Sequence, residues 1–235
     1  MNIKKITLCQ NESWTYDKLP RKLDSDYNPC YEYEYPFSKT IALDCERIVF
    51  KLIEKNVSSD ICRNLNVVFI NDNPLNRAEL TDFVTFNQKD MRFVNVYVDS
   101  NGFNSLSDVK KRKTIFEKIC EAIIIVSDIE KAEIIHQICN EVYLLSDKTE
   151  CVFLNKNLKK YTVEIKFKSS FNGYTAILYI YNNITQQRES TVLFEKGSFA
   201  DLEYRIHKIT IKKNQCIILP KNDKTDYPII VNIDI

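Results

Sequence analysis

The stretch YTVEIKFK at residues 161–168, together with YTAILYIY at residues 174–181, decides the fold of this chain. In the first stretch apolar and polar side chains alternate, which is the period of a strand with one buried face. The dipeptide Asn172-Gly173 between them favours a tight turn, so we predict a β-hairpin. Five further segments have the pattern of short strands: 151–155, 190–195, 204–212, 216–219 and 229–235. Seven strands at this spacing predict an antiparallel β-sheet, sandwich or partial barrel.

The middle of the chain has the period of helices instead. Apolar residues recur three and four positions apart within 38–55, 108–126 and 129–145, which places them on one face of each helix. The tetrapeptide SDIE at 127–130 matches a capping box, so the last two segments are predicted to be a helical pair rather than one rod. Short strands are predicted at 3–8, 31–35, 67–70 and 92–99, and a turn at 100–102.

These patterns together predict an α+β fold whose character changes near residue 148. Residues 1–148 are predicted to form a mixed α/β portion that contains the helical pair, and residues 149–235 a β-rich portion. No linker rich in proline, glycine or serine marks the boundary. The sequence therefore leaves open whether the two portions are separate domains or share one core.

The overall composition is that of a globular protein without a general affinity for polyanions. Of the 235 residues, 44% are hydrophobic and 28% are charged, which is typical of a folded chain. The 33 basic and 32 acidic residues leave a net charge of +1, so we expect no direct binding of nucleic acid or of an anionic membrane. No apolar run is long enough for a signal peptide or a membrane span. We therefore expect a cytoplasmic protein whose eight cysteines are reduced.

Glycine is too scarce for several common enzyme motifs. The three glycines are Gly102, Gly173 and Gly197, each in a predicted turn or loop. The glycine-rich patterns that cradle phosphates are absent, and these patterns need glycine so that the backbone can approach the phosphate. The G-x-S-x-G pattern of a nucleophile elbow is absent too. P-loop and Rossmann-type nucleotide chemistry are thus excluded, and we expect no cofactor.

Histidine and cysteine give little support to a metal site or to acid–base catalysis. His136 and Cys139 are three residues apart on one predicted helix, but a zinc site needs three or four ligands and no further spacing supplies them. A general acid and base could in principle be drawn from His136 and His207. They lie in different halves with no anion-binding group nearby, so we interpret them as unrelated. We expect no metal site.

An E-x-K pattern is the clearest hint of an enzyme. Glu164 and Lys166 would share one face of the predicted strand at 161–168. Nucleases with a PD-(D/E)-x-K core place a metal-binding carboxylate and a water-activating lysine in this way, and Asp147 could supply the first carboxylate. No proline precedes Asp147, however, and a hairpin follows where that fold has a helix. A Mg²⁺-dependent nuclease is therefore the alternative, because alternating charge on a solvated strand gives the same pattern.

The segment YEYEY at residues 31–35 is the strongest hint of a binding surface. As a strand it presents three tyrosines on one face and two glutamates on the other. Tyrosine provides a large, rigid contact area, and carboxylates steer a basic partner. The plainer interpretation is a strand whose tyrosines cover the edge of the core. The predicted partner-binding residues are Asp24, Asp26, Tyr31, Glu32, Tyr33, Glu34 and Tyr35.

Several diffuse features resemble the bacterial immunity proteins of polymorphic-toxin and contact-dependent growth inhibition systems. They are YPFS at 35–38 before the first helix, LNVVFI at 65–70 after it, the missing catalytic motif and abundant Asn, Ile and Lys. The resemblance implies a cytosolic, non-enzymatic protein that binds one cognate toxin domain and blocks its active site. Such toxins are often nucleases, whose basic clefts suit an acidic, aromatic patch. The oligomeric state stays open, and a different protein-interaction module remains a further alternative.

Overall fold

The chain is described by a computed structural model that covers residues 1–10, 39–71, 77–83, 89–222 and 227–235. It contains two compact units, Met1–Ser146 and Asp147–Ile235. No helix in the described ranges is both long and apolar enough to cross a membrane. The first unit combines helices with a mostly parallel sheet and the second is built on antiparallel sheets, so the predicted α+β fold class is confirmed.

The first unit is built on a four-stranded sheet. Its strands are β1 (Lys5–Gln10), β2 (Asn64–Ile70), β3 (Glu79–Leu80) and β4 (Met91–Tyr97). The order across the sheet is β1-β2-β4-β3, with β1, β2 and β4 parallel and β3 antiparallel to β4. Parallel neighbours need a crossover connection, which a helix provides between β1 and β2.

Within the described ranges, four α-helices belong to this unit. They are α1 (Lys39–Glu54), α2 (Ser100–Asn104), α3 (Asp108–Val126) and α4 (Ala132–Leu145). The α1 helix packs against β1, α3 packs against β4, and α4 packs against both α1 and α3. The predicted helical pair is therefore confirmed as α3 and α4.

One continuous apolar core joins the sheet to the helices. Val67 and Phe69 of β2 pair with Val94 and Val96 of β4, and all four side chains are fully buried. Side chains two apart on a strand share a face, so these positions form one apolar surface. The matching stripe of α1 recurs at helical spacing. Its buried members are Ile41, Cys45, Ile48, Val49 and Leu52.

The junction between α3 and α4 differs from the predicted capping box. Asp128 is the cap, since its Oδ1 atom accepts a hydrogen bond from Glu130 N at 3.0 Å. A 3₁₀ turn over Ile129–Lys131 then leads into α4. Ser127 is extended and forms an antiparallel bridge with Ser59, and the cap lies one residue later than the predicted one.

The predicted turn at 100–102 is instead the short helix α2. The carboxylate of Asp99 accepts hydrogen bonds from Asn101 N at 3.2 Å and from Gly102 N at 3.0 Å. An added Cβ at Gly102 would lie 2.6 Å from Asp99 Oδ2. The turn-forming residues therefore serve as a helix start, because the aspartate before them satisfies the free backbone N–H groups.

The second unit begins with an antiparallel sheet of four strands in sequence order. They are β5 (Cys151–Asn157), β6 (Tyr161–Ser170), β7 (Gly173–Asn182) and β8 (Arg188–Gly197). The hairpin predicted from the opening stretch is confirmed as β6 and β7. It turns at Gly173, whose φ of +113° favours glycine.

A short helix and a three-stranded sheet complete the second unit. The helix is α5 (Phe199–Arg205), and the strands are β9 (Lys208–Lys212), β10 (Gln215–Leu219) and β11 (Ile229–Asn232). The strand predicted at 204–212 is wrong in its first part, because α5 extends to Arg205. Ser198 and Asp201 form a capping box that starts this helix.

Candidate protein-binding surface

The partner-binding residues predicted from the N-terminal region lie outside the described residues. They are Asp24, Asp26, Tyr31, Glu32, Tyr33, Glu34 and Tyr35. The acidic, tyrosine-rich segment therefore stays a prediction from sequence.

The residues of the nuclease alternative are only partly brought together. Glu164 and Lys166 share one face of β6, and Lys166 Nζ lies 3.3 Å from Glu164 Oε2. Register places Asn155 opposite Glu164, and Asn155 Nδ2 donates to Glu164 Oε1 at 3.0 Å. Asp147 lies in a 3₁₀ turn that precedes the sheet. Within the described ranges, no group of three or more histidine, cysteine, aspartate or glutamate side chains could hold a metal ion.

The outward side of the β6–β7–β8 sheet carries an aromatic and charged surface. Its rows follow from the strand register, in which Thr162, Tyr181 and Arg188 are neighbours, as are Lys166, Ile177 and Val192. We call it the Tyr179 face, and it consists of Glu150, Glu164, Lys166, Lys168, Ile177, Tyr179, Tyr181, Arg188 and Val192.

The alternation of β6 explains why this face points outward. Val163, Ile165 and Phe167 are fully buried on the other side of the strand. Each residue between them must then point away from that core. Burial of three large apolar side chains contributes several kcal/mol, since each fully buried side chain of this type is worth about 1.5–3 kcal/mol. The position of Glu164 and Lys166 on the outer face is thus fixed by the packing beneath them.

The guanidinium of Arg188 lies over two tyrosine rings. Its Cζ atom lies 4.3 Å from the centroid of Tyr179 and 5.3 Å from that of Tyr181. Lys166 Nζ lies 5.4 Å from the Tyr179 centroid. A cation over an aromatic face is attracted by the ring quadrupole, by about 0.5–1 kcal/mol at an exposed site. Each contact restricts a long side chain, so the face is ordered before any partner arrives.

A hydrogen-bonded carboxylate fixes the other end of the Tyr179 ring. Tyr179 Oη donates to Glu150 Oε1 at 2.9 Å, and Lys168 Nζ lies 3.1 Å from the same oxygen. Burial opposes ionisation of Glu150, but hydrogen bonds from Lys168 and Tyr179 and the charges of Lys168 and Lys166 hold its pKa below the ordinary value. Burial and the bond to Glu150 raise the pKa of Tyr179. The pair is therefore a carboxylate and a neutral phenol at neutral pH.

The Tyr179 face reaches the edge of its sheet. The β8 strand is the last in the order β5-β6-β7-β8, and Val192 on it is 52% exposed. Arg188 is exposed as well. Tyr179 is only 7% exposed, because Arg188 lies over its ring. Tyr181, Arg188 and Val192 are therefore what this face presents to a partner, and tyrosine and arginine dominate binding energy at protein interfaces. The arrangement is suited to recognising a protein surface.

A shallow depression in the first unit is a weaker candidate. It has a volume of about 410 Å³ and lies beside the C-terminal end of β4, lined by Tyr97, Asp99, Phe103 and Lys118 among others. Its polar groups have structural partners, since Asp99 caps α2 and Lys118 Nζ lies 2.9 Å from Glu121. The depression therefore presents little free chemistry to a ligand.

Sequence reasoning missed most of the Tyr179 face. The alternation in 174–181 already puts Tyr179 and Tyr181 on one side of a strand, and this was the available signal. Arg188 joins them only through the register across the β7–β8 turn. Glu150 precedes its strand, so the period of the strand does not reveal it.

Comparisons with protein-family models, with curated proteins and with solved structures found no match to this chain. The Tyr179 face is accordingly interpreted from its own geometry.

Proposed function

We propose that this protein is a cytoplasmic, non-enzymatic immunity protein that binds a cognate toxin domain, a nuclease, and blocks its active site. The observation that carries the binding role is the Tyr179 face, where Arg188 lies across Tyr179 and Tyr181. The choice of a toxin as partner rests on the resemblance of the sequence to bacterial immunity proteins. The two supports are independent.

Order in the unbound protein favours tight binding. Immobilising a long side chain at an interface costs about 0.5–1.5 kcal/mol, and Arg188, Lys166 and Lys168 are already restrained by contacts within the face. A partner that meets them avoids part of that cost. We therefore expect a partner to meet side chains that are already in place, rather than side chains that become ordered on binding.

The face offers both signs of charge to a partner. Glu150 and Glu164 supply carboxylates, and Lys166, Lys168 and Arg188 supply cations. Such a surface fits a partner patch on which the charges alternate in the complementary order. The acidic segment at 24–35 remains a second contact predicted from sequence, suited to the basic cleft of a nuclease.

Co-expression with the neighbouring gene tests this function. The neighbour alone should be lethal, and this protein should restore growth. Arg188→Ala should abolish the rescue, whereas Glu195→Ala, an exposed change on the same strand, should preserve it. A neighbour that is harmless alone, or lethal beside this protein, would contradict the proposal.

The nuclease alternative is separated by a direct assay. Purified protein is incubated with DNA and RNA in the presence of Mg²⁺ or Mn²⁺. We expect no cleavage, because both carboxylate oxygens of Glu164, which would bind the metal ion, already contact Asn155 and Lys166. Cleavage that disappears in Glu164→Ala would favour a nuclease that uses Asp147, Glu164 and Lys166.

A further inference from the structure

Two cysteines and a histidine meet between α3 and α4. Cys120 Sγ of α3 lies 3.1 Å from His136 Nδ1 of α4. Cys139 is three residues after His136, so it projects from the same side of α4. The two thiols are close enough for each to shift the pKa of the other. Helix packing has thus assembled a thiol, an imidazole and a second thiol from two different elements.

The site is shielded on one side and reaches solvent on the other. Cys120 is 3% exposed and Cys139 is 4% exposed, while His136 is exposed at the surface of α4. An imidazole at that position can accept the Cys120 proton and pass it to water.

The two thiols have different tendencies to ionise. The neighbouring Cys139 thiol lowers the pKa of Cys120, and the neighbouring Cys120 thiol, with burial, raises the pKa of Cys139. Burial raises the pKa of Cys216 to about 11 and also raises that of Cys62. Cys120 is therefore the thiol most ready to become a nucleophile in this group, since the thiolate is the reactive form.

The charged and titratable neighbours of the pair come from three helices. Glu121 follows Cys120 on α3, opposes its ionisation and is paired with Lys118 at 2.9 Å. Cys45 of α1 acts on Cys139 electrostatically. His136 is the neighbour placed to take a proton from Cys120.

We propose that Cys120 and Cys139 form a peroxide-sensitive dithiol, in which His136 assists oxidation and a disulfide joins α3 to α4. The Cys120 thiolate attacks one oxygen of hydrogen peroxide, the O–O bond breaks, and the released hydroxide takes a proton to become water. Cys120 is then a sulfenic acid. The Cys139 sulfur attacks the Cys120 sulfur, the S–O bond breaks, and a second water leaves. Peroxide is the oxidant, and two thiols become one disulfide.

Peptide mapping tests the bond directly. The folded full-length protein is treated with hydrogen peroxide, blocked with N-ethylmaleimide and digested with trypsin without reduction. Lysines at 118, 131 and 148 place Cys120 and Cys139 on separate peptides, so a disulfide appears as a linked pair that has lost two hydrogen atoms. A link from Cys139 to Cys45, or oxidation of Cys216 before Cys120, would overturn the proposal.

Three variants test the separate roles. Cys139→Ser should stop the reaction at a Cys120 sulfenic acid, which dimedone traps when it is added together with a denaturant that exposes the buried sulfur. His136→Gln, a change at an exposed position, should slow oxidation about tenfold or more and move its pH profile. Cys216→Ser, a buried thiol of the second unit, should leave the rate unchanged. An unaltered rate and pH profile in His136→Gln would refute the role of the histidine, and absence of dimedone adduct in Cys139→Ser would refute that of Cys120.

Discussion

At the scale of single residues, a buried charge cluster distinguishes the helices of the first unit. Asp44 of α1 is fully buried, and its carboxylate lies 2.6 Å from Arg47 Nη1 and 3.0 Å from Arg112 Nη2. Arg112 also donates to Tyr143 O at 2.8 Å. Burial raises the pKa of Asp44, although both arginines favour its charged form. The Asp44 carboxylate joins α1 to α3, and Arg112 extends the cluster to α4 through the Tyr143 carbonyl.

Removing that carboxylate should be costly. Asp44→Ala leaves Arg47 and Arg112 without their shared counter-charge, and breaking a buried ion pair from one side typically costs about 3–5 kcal/mol. We expect a loss of that size in the free energy of unfolding, measured by urea titration. Glu117→Ala is the matched control, because it removes an exposed pair with Lys113 at 3.9 Å and should cost less than about 1 kcal/mol. Similar losses in both variants would contradict the role of burial.

At the scale of elements, local period and turn chemistry account for what was predictable. The β6–β7 hairpin follows from strict alternation and the Asn172-Gly173 turn, and α3 and α4 follow from helical spacing. The prediction of a strand over 204–212 was wrong in its first part. Tyr204 and Ile206 favour strands, whereas the residue that starts α5, Ser198, lies upstream of the segment. The spacing of apolar residues identifies a helix or strand well when one of its faces is buried over its whole length.

Which strands pair with each other was harder to predict from the sequence than where the strands lie. The parallel pairing of β1 with β2 and of β2 with β4 depends on contacts between distant segments. The two-residue strand β3 is too short to have a period. Tertiary packing decides such features, so no local pattern reveals them.

The cap of α5 should make that helix sensitive to acid. Hydrogen bonds from the backbone and side chain of Ser198 lower the pKa of Asp201. Since the folded pKa lies below the unfolded value of about 3.9, the cap stabilises α5 above that value, and this stabilisation is lost as pH falls through the folded pKa. The protection factor of the Ile206 amide, which donates to Leu202 O, should therefore fall below about pH 4.

Two substitutions separate the cap from its salt bridge. Ser198→Ala should weaken α5 by about 1 kcal/mol at neutral pH, seen as faster amide exchange confined to that helix. Arg205→Ala leaves the cap in place and removes the exposed contact of 3.6 Å with Asp201 and the contact of 5.5 Å with the Phe194 ring, so it should have a smaller effect. Equal acceleration in both variants would place the stabilisation in the ion pair instead.

At the scale of the whole molecule, the candidate surface combines parts that the sequence keeps separate. Glu164 and Lys166 form an E-x-K pattern, and the alternation of apolar and polar residues predicted that they share one face of a strand. Their neighbours from β7 and β8 change the interpretation, because Tyr179 and Arg188 make the surface aromatic and ordered. The chemistry of a site depends on such neighbours, and they are known only once the register between the strands is known.

Arg188→Ala should separate binding from folding. Arg188 is exposed, so its loss should lower the free energy of unfolding by no more than its two ring contacts provide, about 0.5–1 kcal/mol each. Loss of an interface arginine of this type commonly costs at least about 2 kcal/mol of binding, or about 30-fold in Kd. Calorimetric titration of the proposed toxin domain against each variant measures this, with Glu195→Ala as control. Unfolding of the Arg188→Ala protein at ordinary temperature would assign the residue a structural role.

The sheet topology of the first unit also bears on how the chain folds. Lys5 pairs with Asn64, so β1 must wait for β2 before any ladder can form, whereas β6 and β7 meet through a turn at Gly173. Closing a long loop before contacts compensate slows folding, and adjacent hairpins escape that delay. During synthesis the first unit therefore leaves the ribosome before the second, but the pairing of β1 with β2 is expected to form slowly. The β6–β7 hairpin of the second unit is expected to form quickly.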